Sequence, residues 1–208
     1  MNKPTRRKGT LWITLGLLLI TAALFLAAYN LYDARRAGRS VQHAVSSLEA
    51  AQPLPAASGP AQTRPTLPDY VIDPTRDMPV QTIDGRDYIG LLRIPALELE
   101  LPILSQWSYP DLKVAPCRYT GSAYLDSLVI CGHNYQTHFG RLKTLQPGDE
   151  VTFTDLDGNV FSYQVAALEV LAPDAVDAMT EGDWDLTLFT CTVGGRSRVT
   201  VRCVRLGF

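Results

Sequence analysis

Two apolar stretches of this sequence end in residues whose side chains can carry out acid–base and nucleophilic chemistry. The run Leu128–Cys131 leads directly into Gly132 and His133, and the run Leu186–Thr192 contains Cys191. A thiol next to an imidazole can act as a nucleophile, because the imidazole accepts the thiol proton and later returns it. Cys191 is therefore the candidate nucleophile, and His133 is the candidate general acid and base.

Two arginines follow this cysteine closely enough to serve the same site. Arg196 and Arg198 lie at the start of the β-type stretch that runs to Leu206. A guanidinium can donate two hydrogen bonds to an oxygen that gains negative charge during acyl transfer. Residues two positions apart in a strand project to the same face, so Arg196 and Arg198 share a face if the strand begins at Arg196. Alternation alone therefore leaves both arginines as candidates.

Of the other three cysteines, Cys203 and Cys131 are more typical of a protein core, although Cys131 could also line the site, and Cys117 has no assignment from the sequence. Cys203 alternates with Val199 and Val201, which predicts that the three share one buried strand face. Cys131 shares the strand face of the histidine that follows it by two positions, and Cys117 is predicted in a loop. A disulfide between Cys117 and Cys131 is one possibility, but the sequence does not determine the connectivity.

The segment that must position these residues, 81–208, is rich in strand patterns. Asp157-Gly158 between two of these patterns predicts a hairpin, and short helices are predicted within 137–145 and 174–182. Seven to eight short strands with such turns predict a mainly β domain, either a barrel or a sandwich. The predicted strands are Tyr88–Ile94, Glu98–Leu104, Leu128–Cys131, Glu150–Thr154, Val160–Leu171, Leu186–Thr192 and Ser197–Leu206.

The chain before this domain divides into three pieces. Residues 1–10 form a basic tail, and residues 11–30 form an apolar run long enough to span a bilayer as one helix. An uncleaved anchor fits this length better than a secretory signal, whose apolar core is about 7–15 residues long. The excess of Lys and Arg before the run predicts a cytoplasmic N-terminus. Residues 31–80 are predicted to form an extracellular amphipathic helix and then a proline-rich tether.

The composition argues against several classes of protein. The formal charge of −2 and the pI near 5.9 give no basic balance of the kind that nucleic-acid binders carry. Four cysteines without a Cys-x-x-Cys pair predict neither a disulfide scaffold nor a structural zinc site. No cofactor is expected. Calcium activation is left open, although the acidic residues around Asp155 are more typical of a turn.

The motifs and their order resemble the sortase family, the membrane-anchored cysteine transpeptidases of Gram-positive bacteria. The run Thr187-Leu188-Phe189-Thr190-Cys191 resembles the family's Thr-Leu-x-Thr-Cys strand, and Gly132-His133-Asn134 resembles its Gly-His element. Arg198 matches the family's arginine on the next strand better than Arg196 does. Residues 139–149 resemble the family's Phe-x-x-Leu-x-x-Leu-x-x-Gly-Asp segment, and the whole resemblance covers about residues 86–206.

This resemblance implies a closed, sortase-like β-barrel with short helices and a defined reaction. Cys191 would cleave an LPxTG-like sorting signal after its Thr and form a thioester acyl-enzyme, and His133 would protonate the leaving amine. Arg198 would orient the substrate and stabilise the oxyanion, with Thr190 and Asn134 in supporting roles. An amine of a cell-wall precursor or of a pilin would then accept the acyl group, whereas attack by water would give hydrolysis. The catalytic domain would lie outside the cell on a single-pass anchor.

Three alternatives are weighed against this interpretation. An L,D-transpeptidase would have its arginine much closer to the cysteine, and a papain-like peptidase would have its cysteine before its histidine, at a helix start. A membrane-anchored, non-catalytic β-barrel module could instead bind a metal ion. Its ligands would be Cys131, His133, His138 and Cys191, with His138 in a predicted loop at the rim of the site or in solvent. The motifs leave the sortase class open between a B-like and a D-like type.

Overall fold

The computed structural model of this chain describes residues 5–51 and 67–207. The chain forms two compact units, Met1–Arg36 and Ala37–Phe208. Most of the predicted proline-rich tether lies outside the described residues, as does the beginning of the basic tail.

The first unit is helical and apolar. It belongs to helix α1, Thr5–Ala51, which contains an 18-residue window with a mean hydropathy of 2.4. This helix is long and apolar enough to cross a membrane, as expected for an anchor. Its leucine and phenylalanine side chains between residues 11 and 26 are largely exposed, which suits a lipid environment.

The second unit includes the last turns of α1 in addition to the β domain. Ala37, Val41, Ala44 and Leu48 are buried there, and their spacing places them on one face of the helix. The predicted amphipathic helix is therefore the end of the long apolar helix. Its buried face packs against the domain, because small and branched side chains recur every three or four residues.

In the described part of the chain, nine strands form one sheet, and eight of them close into a barrel. The strand order is β1-β2-β3-β4-β5-β8-β9-β7-β6, and a pairing between β2 and β6 closes the ring. This confirms the predicted mainly β barrel and excludes the sandwich. The strands are β1 Gln81–Ile83, β2 Arg86–Ile94, β3 Leu99–Leu104, β4 Cys117–Thr120, β5 Leu128–Gly132, β6 Glu150–Asp155, β7 Val160–Leu171, β8 Leu186–Cys191 and β9 Arg198–Arg205.

Every predicted strand is present, and two short strands were not predicted. β1 forms a hairpin with β2, and β4 lies between β3 and β5. The prediction that Cys117 lies in a loop is therefore wrong, because this residue begins β4. A four-residue strand of mixed polarity gives no period-two signal in the sequence.

Short helices and turns connect the strands. Helix α2, Asp69–Ile72, precedes the barrel, α3, Tyr109–Leu112, lies between β3 and β4, and α4, Val176–Thr180, lies between β7 and β8. The predicted Asp157-Gly158 hairpin joins β6 to β7. It is fixed by the buried Asp155, whose carboxylate accepts hydrogen bonds from the backbone of Asp157 and from Asn159.

The barrel has an apolar interior and a second apolar cluster on its outside. Alternate residues of the strands fill the interior, where Ile130, Leu188 and Val201 are fully buried. Residues of the opposite strand faces join side chains of α1 and α4 in a second cluster, which we call the outer cluster. The outer cluster consists of Ala44, Leu48, Tyr88, Leu91, Leu104, Ala115, Cys117, Val129, Cys131, Met179 and Phe189.

Candidate functional site

The strand register brings the candidate nucleophile beside the candidate acid–base residue. β5 and β8 are parallel neighbours, and Gly132 pairs with Thr190 in the last position of their ladder. The next residue after this pair is His133 on the β5 side and Cys191 on the β8 side, so the two reactive residues are at equivalent positions of the two strands. Neighbouring strands lie about 4.8 Å apart, so the two residues leave the sheet side by side. Cys191 is the only exposed thiol among the four cysteines.

The arginine on the far side of Cys191 is Arg198. β8 and β9 are antiparallel, and Cys191 is directly opposite Arg198 in the register. Directly opposed residues project to the same face of a sheet, so Cys191 lies between His133 and Arg198. Arg196 is exposed in the turn before β9 and has no register partner on β8.

The turn between β8 and β9 holds the guanidinium at this place. Gly194 and Gly195 both have positive φ, 83° and 71°, a conformation that glycine adopts without strain. One Nη atom of Arg198 donates to the carbonyl oxygens of Gly195 and Ser197, at 3.2 and 3.3 Å. The other guanidinium donors have no partner in the described part of the chain, so they are available to a ligand.

The imidazole of His133 is oriented by its sequence neighbours. Its Nδ1 lies 3.0 Å from the side-chain oxygen of Asn134. An amide oxygen accepts hydrogen bonds, so this contact with Nδ1 helps to orient the imidazole ring. The ring also stacks on Tyr135, with centroids 4.0 Å apart and planes 8° from parallel. Asn134 therefore lies beside the imidazole, and its supporting role in the reaction stays a prediction.

Thr190 does not project into the site, but it contacts the strand that leads to His133. It lies on the opposite face of β8 from Cys191, and its buried hydroxyl donates to the carbonyl oxygen of Gly132 at 2.8 Å. This bond joins the ends of β5 and β8 just before the two reactive residues. The hydroxyl therefore binds the neighbouring strand, and this bond helps to fix the register between β5 and β8.

A row of aromatic side chains extends from the cysteine face of β8. Phe189, two residues before Cys191, contacts Tyr119 edge to face at 5.4 Å. Tyr119 stacks with Trp107 at 5.6 Å, and Trp107 contacts Tyr109. Phe189 could have been found from the period of the strand. Trp107 and Tyr119 were missed, because their position depends on the pairing of the unpredicted β4.

A second arginine on this face is buried and fully engaged. Arg202 is 3% exposed, and its Nε donates to Glu169 at 3.0 Å. One Nη donates to the Thr187 hydroxyl at 3.1 Å and to the Met179 carbonyl at 3.2 Å, and the other donates to the Ala178 carbonyl. These bonds fasten α4 to the outside of the barrel.

The remaining histidine near the site is buried, contrary to both predicted positions in a rim or in solvent. His138 is 0% exposed, and neither of its ring nitrogens has a hydrogen-bond partner among the described residues. Burial lowers the pKa of His138 to about 4, and the nearby His133 adds to the decrease. The ring is therefore neutral near pH 7.

The three buried cysteines occupy two different environments. Cys203 lies in the barrel interior, as its alternation with valines predicted. Cys117 and Cys131 both lie in the outer cluster. Within residues 5–51 and 67–207, no three His, Cys, Asp or Glu side chains converge in a group that could hold a metal ion.

The sequence matches a known domain family over the β-barrel. The family model described as the sortase domain matches residues 92–206, more than half of the chain. Sortase A of Bacillus anthracis is 25% identical over 116 residues, which cover 53% of this chain and 55% of that protein. Sortase D of Bacillus subtilis strain 168 is 30% identical over 107 residues, which cover 49% and 53%. The chain thus spans about half the length of these curated relatives.

Solved sortase structures have the same fold as this chain. The crystal structure of sortase C1 from Streptococcus agalactiae superposes with a TM-score of 0.53 and 28% identity, covering 61% of this chain and 72% of that one. A sortase D5 transpeptidase from Clostridium perfringens superposes with a TM-score of 0.52 at 24% identity, and this likeness bears on the fold alone.

Proposed function

Since the chain belongs to the sortase family, we propose that it is a membrane-anchored cysteine transpeptidase with Cys191 as its nucleophile. The observation that carries this proposal is the register of three strands, which places Cys191 between His133 and Arg198 on one face of the barrel. A nucleophile, a proton-transfer group and an oxyanion donor are the three groups that acyl transfer through a thioester requires.

In the first half of the proposed reaction, Cys191 forms a covalent bond to the substrate. His133 accepts the thiol proton of Cys191, the sulfur attacks the carbonyl carbon of the scissile peptide bond, and the carbonyl oxygen gains negative charge. The unpaired guanidinium donors of Arg198 stabilise that charge. His133 then delivers this proton to the leaving amine, the carbon–nitrogen bond breaks, and a thioester remains on Cys191.

In the second half, an incoming amine resolves the thioester. His133 accepts a proton from this amine as its nitrogen attacks the thioester carbon. The carbon–sulfur bond breaks, and the Cys191 thiolate takes the proton back from His133. A new amide bond replaces the one that was broken, so no external energy source is needed. Water in place of the amine gives hydrolysis.

The proposed substrate is an LPxTG-like sorting signal of a secreted protein, cleaved after Thr. The aromatic row from Phe189 to Trp107 supports this choice, because it offers an apolar wall beside the cysteine to the Leu and Pro side chains of such a signal. The proposed acceptor is the amine of a cell-wall precursor or of a pilin. Of the two class types, the identity with sortase D favours the D-like one.

The proposed location is the outer surface of a Gram-positive cell membrane. The apolar part of α1 would serve as the single-pass anchor, with a cytoplasmic N-terminus. The barrel would then stand outside, where secreted substrates and cell-wall amines meet.

The roles of the three residues can be tested by transpeptidation in detergent with the full chain. The substrate is a peptide that carries an LPxTG-like motif between a fluorophore and a quencher, and a diamino peptide serves as acceptor. We expect Cys191→Ala to abolish turnover. His133→Ala and Arg198→Ala should each reduce kcat/KM about 100-fold or more, as is typical when one acid–base or oxyanion group is removed.

Arg196→Ala is the matched control for the arginine. Arg196 is exposed in the same turn, two residues earlier, so its removal should leave turnover close to that of the unmodified chain. Equal losses for the two arginine variants would contradict the assignment of Arg198. Unchanged thermal unfolding of all variants would show that the losses come from chemistry and not from unfolding.

A further inference from the structure

Two of the buried cysteines face each other across neighbouring strands. β4 and β5 are antiparallel, and Cys117 is directly opposite Cys131 in their register. Both side chains belong to the outer cluster, so they project to the same face of the sheet. The two residues are 14 positions apart in the sequence. The sequence left this pair as one possible connectivity, and the register of β4 with β5 is what brings the two residues opposite each other.

The geometry of this pair suits a disulfide. Directly opposed residues in antiparallel strands have Cα atoms about 4.5–5.5 Å apart, within the range of about 4.4–6.8 Å that disulfides span. The thiol of Cys131 already lies 3.5 Å from the carbonyl oxygen of Cys117.

The other pairings of these cysteines are excluded by distance or by position. Cys131 pairs with Phe189 on β8, so Cys191 is two residues further along, at a Cα separation of about 8 Å. Cα atoms more than about 7 Å apart cannot be bridged without backbone movement. Cys203 lies inside the barrel, on the other side of the sheet from the outer cluster.

We propose that Cys117 and Cys131 form a cross-strand disulfide when the chain folds in oxidising surroundings. A small organic disulfide, such as oxidised glutathione, is the oxidant. The two thiols lose two protons and two electrons as their sulfur–sulfur bond forms, and the organic disulfide accepts them and is reduced to two thiols. This proposal rests on the strand register alone and holds whether or not the proposed enzymatic function is correct.

Burial determines when this bond forms and how it behaves. Both cysteines are at most 5% exposed, and burial raises the pKa of the Cys131 thiol to about 12. The thiolate is the reacting species, so exchange is slow in the folded barrel and fastest while β4 and β5 are pairing. The finished disulfide is protected in the same way. It leaves the exposed Cys191 as a free thiol and locks the strand that ends beside His133.

Mass spectrometry of the full chain tests the proposal. The chain is purified in detergent, unfolded, refolded in a buffer of reduced and oxidised glutathione, and alkylated under denaturing conditions before digestion with trypsin. The four cysteines fall into separate tryptic peptides, because Arg118, Arg141 and Arg196 separate the first three and Arg202 precedes the fourth. We expect the Cys117 and Cys131 peptides to be joined, with Cys191 and Cys203 alkylated.

Thermal unfolding gives a second and independent readout. Closing a loop of this length stabilises the folded state, so reduction should lower the Tm of the refolded chain by about 10 °C. A variant with both Cys117→Ala and Cys131→Ala is the control and should show no effect of reductant on Tm. Alkylation of both thiols after refolding in the oxidising buffer, or a joined pair that includes Cys191, would overturn the proposal.

Discussion

Arg202 offers a sharp test of how the outside of the barrel is held together. Its guanidinium donates to Glu169, to the Thr187 hydroxyl and to two backbone carbonyls of α4, and it is 3% exposed. Replacement by methionine keeps an apolar side chain of similar length but removes every donor. The Thr187 hydroxyl and the α4 carbonyls then lose their partner in a region from which water is largely excluded.

The size of the effect follows from these contacts. A buried acceptor left without a donor costs about 1–3 kcal/mol, and loss of one partner of a buried ion pair typically costs about 3–5 kcal/mol in total. Glu169 is 40% exposed at its side chain, so water can solvate it and its own contribution is small. The loss therefore comes mainly from the acceptors that lose their donor, and we expect Arg202→Met to lower the free energy of unfolding by about 2–5 kcal/mol and Tm by about 10 °C.

The assay is urea unfolding of the full chain in detergent, followed by tryptophan fluorescence. Trp184 lies 6.0 Å from the Arg202 guanidinium and reports on this region directly. The matched control is Arg93→Met, which removes an ion pair with Glu100 on the barrel surface, where Arg93 is 62% exposed. Arg93→Met should lower the free energy of unfolding by less than about 1 kcal/mol. Equal effects of the two substitutions would refute the reasoning that burial gives Arg202 its role.

Three further predictions concern the support of the catalytic strands. The folded pKa of His138, about 4, lies below its ordinary value of 6.5. The unfolded chain therefore binds more protons between these values, and the free energy of unfolding should fall by about 1.4 kcal/mol per pH unit as the pH decreases through that window. Urea unfolding at a series of pH values should show a weaker dependence for His138→Phe, and an identical dependence would contradict this prediction. Gly132→Ala would place a Cβ atom 2.5 Å from the ring of Phe139, so calorimetry should show that the free energy of unfolding falls by about 1–3 kcal/mol. An unchanged Tm would contradict this prediction. Thr190→Val removes the hydroxyl that donates to the Gly132 carbonyl, so it should lower the free energy of unfolding by about 1–3 kcal/mol and should also lower kcat. Full stability and activity of this variant would show that the bond does not hold the register of β5 and β8.

The sequence predicted most of the barrel, because its strands carry the period-two signal that a closed sheet with an apolar interior requires. The alternation of Cys203 with Val199 and Val201 placed that cysteine in the interior, where the structure has it. The same alternation put Arg198 on the opposite strand face. The direct pairing of Arg198 with Cys191 needs the register of β8 with β9, which no single strand pattern contains.

What could not be predicted depends on contacts between distant segments. β4 is too short to show a period, so the position of Cys117 opposite Cys131 and the aromatic contacts of Tyr119 were not predicted. The burial of His138 was missed for a related reason. A single histidine in a predicted loop gives no burial signal in the sequence, and it is the packing of the loop after β5 that buries it.

The most direct test of the central claim is the intact mass of the full chain after mixing with libraries of LPxTG-like and NPxTG-like peptides. We expect an acyl adduct on Cys191 that hydroxylamine removes, as it does a thioester, and that an added amine converts to a new amide product. The fragment retained on the enzyme would also identify the sorting signal. An adduct on another residue, or turnover by the Cys191→Ala variant, would contradict the assignment of Cys191 as the nucleophile of a sortase.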